Sequence, residues 1–170
     1  AYTVANTMVF TGITGVETFA ANANTAAVSV SLDGTAFVSG IRTVDISAGT
    51  SATSNVIDAS EYTGAYSAAL TLTGSATGAT AITGGAGIDT ITGGTGIDTV
   101  QGGAGADVID LRVDVVSDIV ILDNEATVDV INNFQAGTGG DVIHLDVSTL
   151  NGGNIAASEG TVITTEAAGF

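Results

Sequence analysis

The 170-residue chain carries eighteen acidic residues against two basic ones, a formal net charge of −16, with 45% hydrophobic residues and a mean hydropathy of +0.48. That charge excludes nucleic acid and anionic lipid as natural partners, since both are bound through Lys and Arg, and it points to cations instead. The apolar content excludes a disordered chain and suffices for a core; with no cysteine, disulfides and thiolate metal sites are excluded too.

The chain opens on "AYTVANTMVF", with neither an initiating Met nor a charged-then-apolar signal, so it is expected to be a piece of a longer protein. Helical periodicity is nearly absent. Short β-branched runs recur instead between Gly, Ser, Asn and Asp clusters: "VSVSL" at 28–32, "TVDIS" at 43–47, "NVIDAS" at 55–60 and "LTLTG" at 70–74. Their spacing suits a sandwich or a solenoid. The uncharged stretch from Tyr62 to Ile88 is broken by glycine and rich in Thr, Ser and Ala, which argues against a membrane span. Phe10, Phe19, Phe37, Tyr62, Tyr66 and Phe134 are expected in the core or its caps.

A fixed period then decides between sandwich and solenoid. Gly84–Thr92, Gly93–Gln101 and Gly102–Asp110 each fit G-G-x-G-x-D-x-U-x, with Ile91, Val100 and Ile109 at U. This nonapeptide is the pattern of calcium-binding parallel β-helices. One period earlier, "SATGATAIT" at 75–83 keeps Gly78 and Ile82 but has Thr80 in place of the aspartate; one period later, "LRVDVVSDI" at 111–119 has lost the glycines. From Asp129, "DVINNFQAGTGGDVIHL" reads as a strand, a turn at Gly137–Gly140 and a second strand, a pair that closes the end of the stack. The predicted fold class is therefore all-β: a parallel β-solenoid, or β-roll, with a carboxyl-terminal capping strand pair. Its stretches are irregular coils over 1–73, a calcium β-roll over 74–122, and a cap with an export signal over 123–170.

Glycine bends the loop and turns backbone carbonyls toward one point, and the aspartate adds charge. Ca2+ takes six to eight oxygens at about 2.3–2.6 Å, more than one such loop offers. If each coil spends two nonapeptides, loops eighteen residues apart stack on one edge, as Asp89 and Asp107 are spaced. A flexible Gly/Ala linker would not keep Asp and Ile or Val at constant spacing, and a phosphate loop would need a lysine and a following helix. His144, the one histidine, has no HExxH or second histidine beside it and reads as structural. Asp45, Asp58 and Glu61 read as solvated surface, as do Asp110, Asp114, Asp118 and Asp123, although these four sit where the array ends.

The three units resemble the RTX family of secreted calcium-binding proteins. That resemblance implies an ion shared between the second- and fourth-position carbonyls and aspartate of one loop and the first- and third-position carbonyls and aspartate of the loop one coil later. It implies one site from Gly85, Gly87 and Asp89 with Gly102, Ala104 and Asp107. On the opposite edge Asp98 looks back to Thr80 and forward to Val116. Weaker sites there would join Gly93 and Thr95 to Ala76 and Gly78, and Gly94 and Gly96 to the chain after Asp110, where Asp114 or another acid fills in. The tail resembles the segment following RTX repeats in secreted proteases, through Asp129, Phe134, Gly137, Asp141, Ile143 and Leu145, with Asn132 and His144 where that pattern prefers aspartate. The "IDAS" and "TGA" runs upstream resemble calcium-dependent bacterial surface-layer proteins.

These resemblances imply a non-enzymatic, calcium-dependent structural module of a secreted bacterial cell-surface protein. It would be exported by a type I system reading a signal at the carboxyl end, "TTEAAGF". It would then self-assemble as a homo-oligomer or lattice, with a cell-surface glycan as anchor. No nucleophile–base pair or catalytic metal motif lies within the chain. The alternatives are a non-catalytic accessory domain of a secreted hydrolase, and an adhesin or ice-binding domain. For the latter, Thr90, Thr92 and Thr99 form no unbroken rank, because Gln101 and Val108 interrupt it.

Overall fold

The computed structural model describes residues 14–21, 26–50, 54–122 and 127–145; Phe10, Asp123 and the "TTEAAGF" end lie outside the described residues. In chain order the strands are β1 (Thr18–Ala20), β2 (Ser29–Ser31), β3 (Thr43–Asp45), β4 (Asn55–Asp58), β5 (Thr71–Thr73), β6 (Thr80–Thr83), β7 (Thr90–Thr92), β8 (Thr99–Gln101), β9 (Val108–Asp110), β10 (Ile119–Leu122), β11 (Val130–Asn132) and β12 (Val142–Leu145). Odd-numbered strands form one six-stranded sheet and even-numbered strands the other, in unbroken order. Every pairing is parallel, and each inner strand sits against the one a coil earlier and a coil later, with β1, β2, β11 and β12 at the ends. The all-β parallel solenoid is as expected from the sequence.

The strands are three or four residues long because each needs to turn a single β-branched or leucine side chain inward. Val44, Leu72, Ile91 and Ile109 stack through the odd sheet, and Val30, Ile57, Ile82, Val100 and Val120 through the even one; all are at most 1% exposed. The two columns face each other as one continuous core. The outer face of the odd sheet ranks Thr43, Thr71 and Thr90 in register until Val108 breaks the series.

Coil length varies along the stack. In the odd sheet Thr43 pairs with Thr71, Thr71 with Thr90, Thr90 with Val108 and Val108 with Val130, steps of 28, 19, 18 and 22 residues. The coil is shortest where glycine loops connect the strands. The wider early coils hold a helix, α1 (Gly34–Ser39), and a 3-10 turn (Gly64–Tyr66). Asp33 caps α1 by accepting from the backbone N–H groups of Thr35 and Ala36, and Gly40 ends it with φ of 100°. Phe37 of α1 meets Tyr62 and Tyr66 edge-to-face at 5.5 and 5.3 Å, and Tyr62, fully buried, donates to the Ile41 carbonyl. Tyr62, with Phe37 packed against it, thus fills the wide coils as core, while Tyr66 stays 42% exposed.

At the other end, the expected closing pair is present as β11 and β12. They do not pair with each other; each extends one sheet by a further parallel strand. Exchange of Ile91 for alanine in the central column is expected to cost about 2–5 kcal/mol in calcium-saturated denaturant unfolding. The same exchange at Ile97, 57% exposed on a loop, should stay within about 0.5 kcal/mol; equal costs at both positions would contradict the assigned core.

Candidate metal centre

The loops of the solenoid stack on two edges. One edge carries loops 59–70, 84–89 and 102–107; the other carries 74–79, 93–98, 111–118 and 133–141. Each repeat aspartate sits at the end of its loop, immediately before a strand, and the coil period carries it over the same point of the preceding coil.

There the carboxylates form two ladders. Asp89 Oδ1 accepts from the Leu70 amide at 2.8 Å, Asp107 Oδ1 from the Asp89 amide at 2.8 Å, and Asp129 Oδ1 from the Asp107 amide at 2.9 Å. Opposite, Asp98 Oδ1 accepts from Thr80, Asp118 Oδ1 from Asp98 and Asp141 Oδ1 from Asp118, at 2.7, 2.8 and 3.0 Å. The second oxygen ties the loop to itself: Asp89 Oδ2 accepts from Gly85, Asp98 Oδ2 from Gly94 and Asp141 Oδ2 from Gln135. Asp89, Asp98 and Asp107 are wholly buried and Asp118 is 1% exposed.

Burying carboxylates is costly even when amides solvate them. Burial raises Asp89 to about 6 against the lowering effect of hydrogen bonds from Gly85 and Leu70, and the charge of Asp107 adds to the rise. Asp98 and Asp118 are raised to about 6 by the same burial, each further raised by acidic neighbours. Among the described residues no arginine is a cause of these shifts. The guanidinium of Arg42 lies 4.2 Å over the Phe37 ring and donates to the Ile41 carbonyl, and the charged neighbours that shift Asp98 and Asp118 are all acids.

Loops 84–89 and 102–107 approach closely enough to interleave their oxygens. A methyl group at Gly84 would overlap the Gly102 carbonyl oxygen, and one at Gly103 or Gly105 would overlap the carbonyl oxygen of Gly85 or Gly87. Gly103 also has φ of 93°, which favours glycine on its own account. The carbonyls of Gly85, Gly87 and Gly102 therefore crowd the same gap as the carboxylates of Asp89 and Asp107, and Ala104 is held there by donating its amide to Gly85 at 2.8 Å. The two loops that carry Gly85, Gly87 and Asp89 and Gly102, Ala104 and Asp107 thus lie directly on one another. Each carbonyl keeps a second lone pair, so the donor set is oxygen only, which fits a hard cation. Among the described residues no three acidic or histidine side chains form a metal-binding group; the gap relies on backbone oxygens.

The upstream site on the other edge is poorer. The Ala76 carbonyl already accepts from both the amide and the hydroxyl of Thr95, at 3.2 and 2.9 Å. Thr80 reproduces the loop-closing bond of the missing aspartate, its hydroxyl accepting from Ser75, and donates to the Gly78 carbonyl, but it brings no charge. Gly96 packs directly on Gly78, and a methyl at Gly93 would press on the Asp98 carboxylate. Downstream of Gly94 and Gly96 the expected register is corrected. The connecting coil is twenty residues long, so Asp118 rather than Val116 meets Asp98.

Asp118, Asp129 and Asp141, with Asn55 further upstream, are the ladder residues that the period of nine does not select. Asn55 Oδ1 accepts from Val28 at 3.0 Å in the same way as the aspartates. The signal for all of them is short: "NVI", "DIV", "DVI" and "DVI" at 55, 118, 129 and 141 repeat the acid-or-amide, any residue, inward apolar residue order of "DTI", "DTV" and "DVI" in the array. Asp45, Asp58 and Asp110 stand at strand ends, where each carboxylate accepts from the amide two residues on and closes a turn.

Two stacks of buried carboxylates, amide-bonded in series and flanked by inward-turned carbonyls, define a calcium-binding β-roll. Residues 83–112 match the family model described as RTX calcium-binding nonapeptide repeat (4 copies), which supports the RTX family and implies Ca2+ binding by these repeats. No curated protein and no solved structure matches the chain.

The raised acids set a pH dependence in metal-free buffer. Folded Asp89, Asp98 and Asp118 hold protons up to about pH 6, whereas a carboxyl of ordinary value 3.8 has released them. Their contribution to stability is complete below that ordinary value and is lost as pH rises through about 6. The melting temperature of chelator-treated protein should therefore be higher at pH 5 than at pH 7. A melting temperature that stays flat or rises from pH 5 to pH 7 would contradict the burial of these charges.

Proposed function

We propose that the chain is a calcium-dependent structural module of a secreted bacterial cell-surface protein, which folds and then self-assembles in the surface-layer manner once extracellular calcium fills its loops. One observation carries this reading: wholly buried carboxylates stacked in series, with acidic neighbours and no basic one, in loops whose remaining donors are carbonyl oxygens. Such a core is self-repelling until a divalent ion enters, and an ion that binds only the folded state shifts the equilibrium toward it. Sites with Kd of roughly 10⁻⁴–10⁻³ M stay empty in a cytosol and fill outside the cell, so folding follows export.

The leading ion lies between Gly85, Gly87 and Asp89 and Gly102, Ala104 and Asp107. Weaker sites involve Ala76, Gly78, Gly93, Thr95 and Asp98, and Gly94 and Gly96. In this reading 74–122 is the calcium-set roll, 1–73 presents coils wide enough for surface contacts, and 123–170 closes the stack and carries the type I export signal. Partners are further copies of the chain and a glycan of the cell surface. The chain itself is no enzyme.

The deciding experiment titrates Ca2+ into chelated protein while circular dichroism and light scattering are recorded. Coupled gain of β-structure and growth of large particles is the expected result. Folding without assembly would overturn the surface-layer role and leave an accessory domain of a secreted hydrolase, and structure unchanged by calcium would overturn both. Asp89→Asn should raise the calcium needed for half-folding by about 10-fold or more, on the scale of lost metal-site partners. Glu61→Gln, at an exposed position, should leave it unchanged.

A further inference from the structure

We propose that the described coils within 26–83 are a calcium-independent folded seed, and that the roll from residue 84 onward is built on it as ions bind. The chain without metal is then folded in its wide coils and open in the roll. This division rests on the calcium reading of the array and adds a boundary to it.

The ladder changes character at that boundary. The rungs held downstream by Asp89, Asp98, Asp107 and Asp118 are held just upstream by Asn55, Leu70 and Thr80, none of them charged. Asn55 accepts from the Val28 amide and donates to the Ala79 carbonyl. The Thr80 hydroxyl accepts from Ser75, whose own hydroxyl accepts from Gly78 and donates to the Gly49 carbonyl. Loop 74–79 is therefore closed by neutral bonds. Among the described residues every buried acid lies at Asp89 or beyond, while Asp33, Asp45, Asp58 and Glu61 reach solvent. Apolar packing is weighted the opposite way. Leu32, Ile41, Ile46, Ile57 and Tyr62 are wholly buried in the wide coils, with Phe37 edge-on to Tyr62. Past residue 84 each array strand adds one inward residue, too little to offset a buried carboxylate that lacks a counter-charge.

The first array loop is seated on this block by its backbone. Ala86 donates its amide to the Tyr62 carbonyl at 2.8 Å, the Ser67 hydroxyl donates to the Ala86 carbonyl at 2.7 Å, and the Leu70 amide donates to Asp89 Oδ1 at 2.8 Å. A methyl group at Gly85 would press on Tyr62, and one at Gly87 would overlap the Ala68 carbonyl. Tyr62 is held from the other side by its bond to the Ile41 carbonyl. Loop 84–89 thus meets a surface whose shape is set by apolar packing, and each loop fixed by an ion becomes the floor for the next.

Hydrogen exchange of the unaltered full chain, read by mass spectrometry in chelator and in saturating Ca2+, tests the division. In chelator the amides of β3, β4 and β5 should exchange at least about 100-fold more slowly than in an unfolded chain, and those of β8 to β11 within about 10-fold of the unfolded rate. Ca2+ should then slow the second set. Unfolded rates for both sets in chelator, with both slowed by Ca2+, overturn the seed and leave the calcium reading standing. Slow exchange of both sets in chelator, unchanged by Ca2+, overturns both. Ile57→Ala tests the templating, because β4 is separated from β8 by β6. It should raise the Ca2+ needed for half-protection of β8 by about 3-fold or more through the coupled equilibrium; an unchanged midpoint overturns the templating.

Discussion

The structure depends on a carboxylate that heads each array strand and accepts the amide of the aspartate, or of its counterpart, one coil earlier. The bond does two things at once. It continues the parallel ladder of the sheets past the strand end and around the corner, and it commits a negative charge to the interior at every step. Parallel stacking brings successive coils within about 4.7–4.9 Å, so the charges on one edge accumulate at short range in a medium that screens them poorly. A chain with two arginines cannot neutralise that column from within. The same geometry that shapes the roll creates the demand for a cation.

Short strands follow from the same constraint. With one inward side chain per strand, each coil buries only two column residues, such as Ile82 and Ile91, and the core is a double file rather than a broad layer. So little apolar burial per residue leaves stability resting on the ladders and on whatever sits between the loops. The wider coils near the amino-terminal end are built differently. Tyr62, Phe37 and the capped helix fill space that the glycine loops leave to oxygens, so these coils bring their own packing.

Glycine at the repeat positions is a matter of clearance. At Gly84, Gly87 and Gly94 a methyl group would lie inside the backbone of the adjacent loop. Loop against loop is thus as tightly fitted as side chain against side chain in the core, with carbonyl oxygens as the interdigitating parts. Where the glycines end, at Leu111, the coil lengthens to twenty residues and then twenty-three, and carboxylate side chains such as Asp114 occupy the edge.

The sequence by itself determined the solenoid, the period of nine, the pairing of Asp89 with Asp107 and the oxygen-only chemistry of the loops, because all of these depend on residues at constant separation. Only the tertiary structure decided the partners outside the array. Asp98 meets Asp118 instead of Val116, and Asn55 and Asp141 join the ladder, because the coils there are twenty to twenty-seven residues long and the ladder follows the sheet register, not a fixed count along the chain. Tertiary contacts likewise decided that the Ala76 carbonyl is occupied by Thr95 and that Asp114 keeps one buried oxygen open. Each of those outcomes is set by which loop lies above which, a relation between coils that strings of residues do not encode locally.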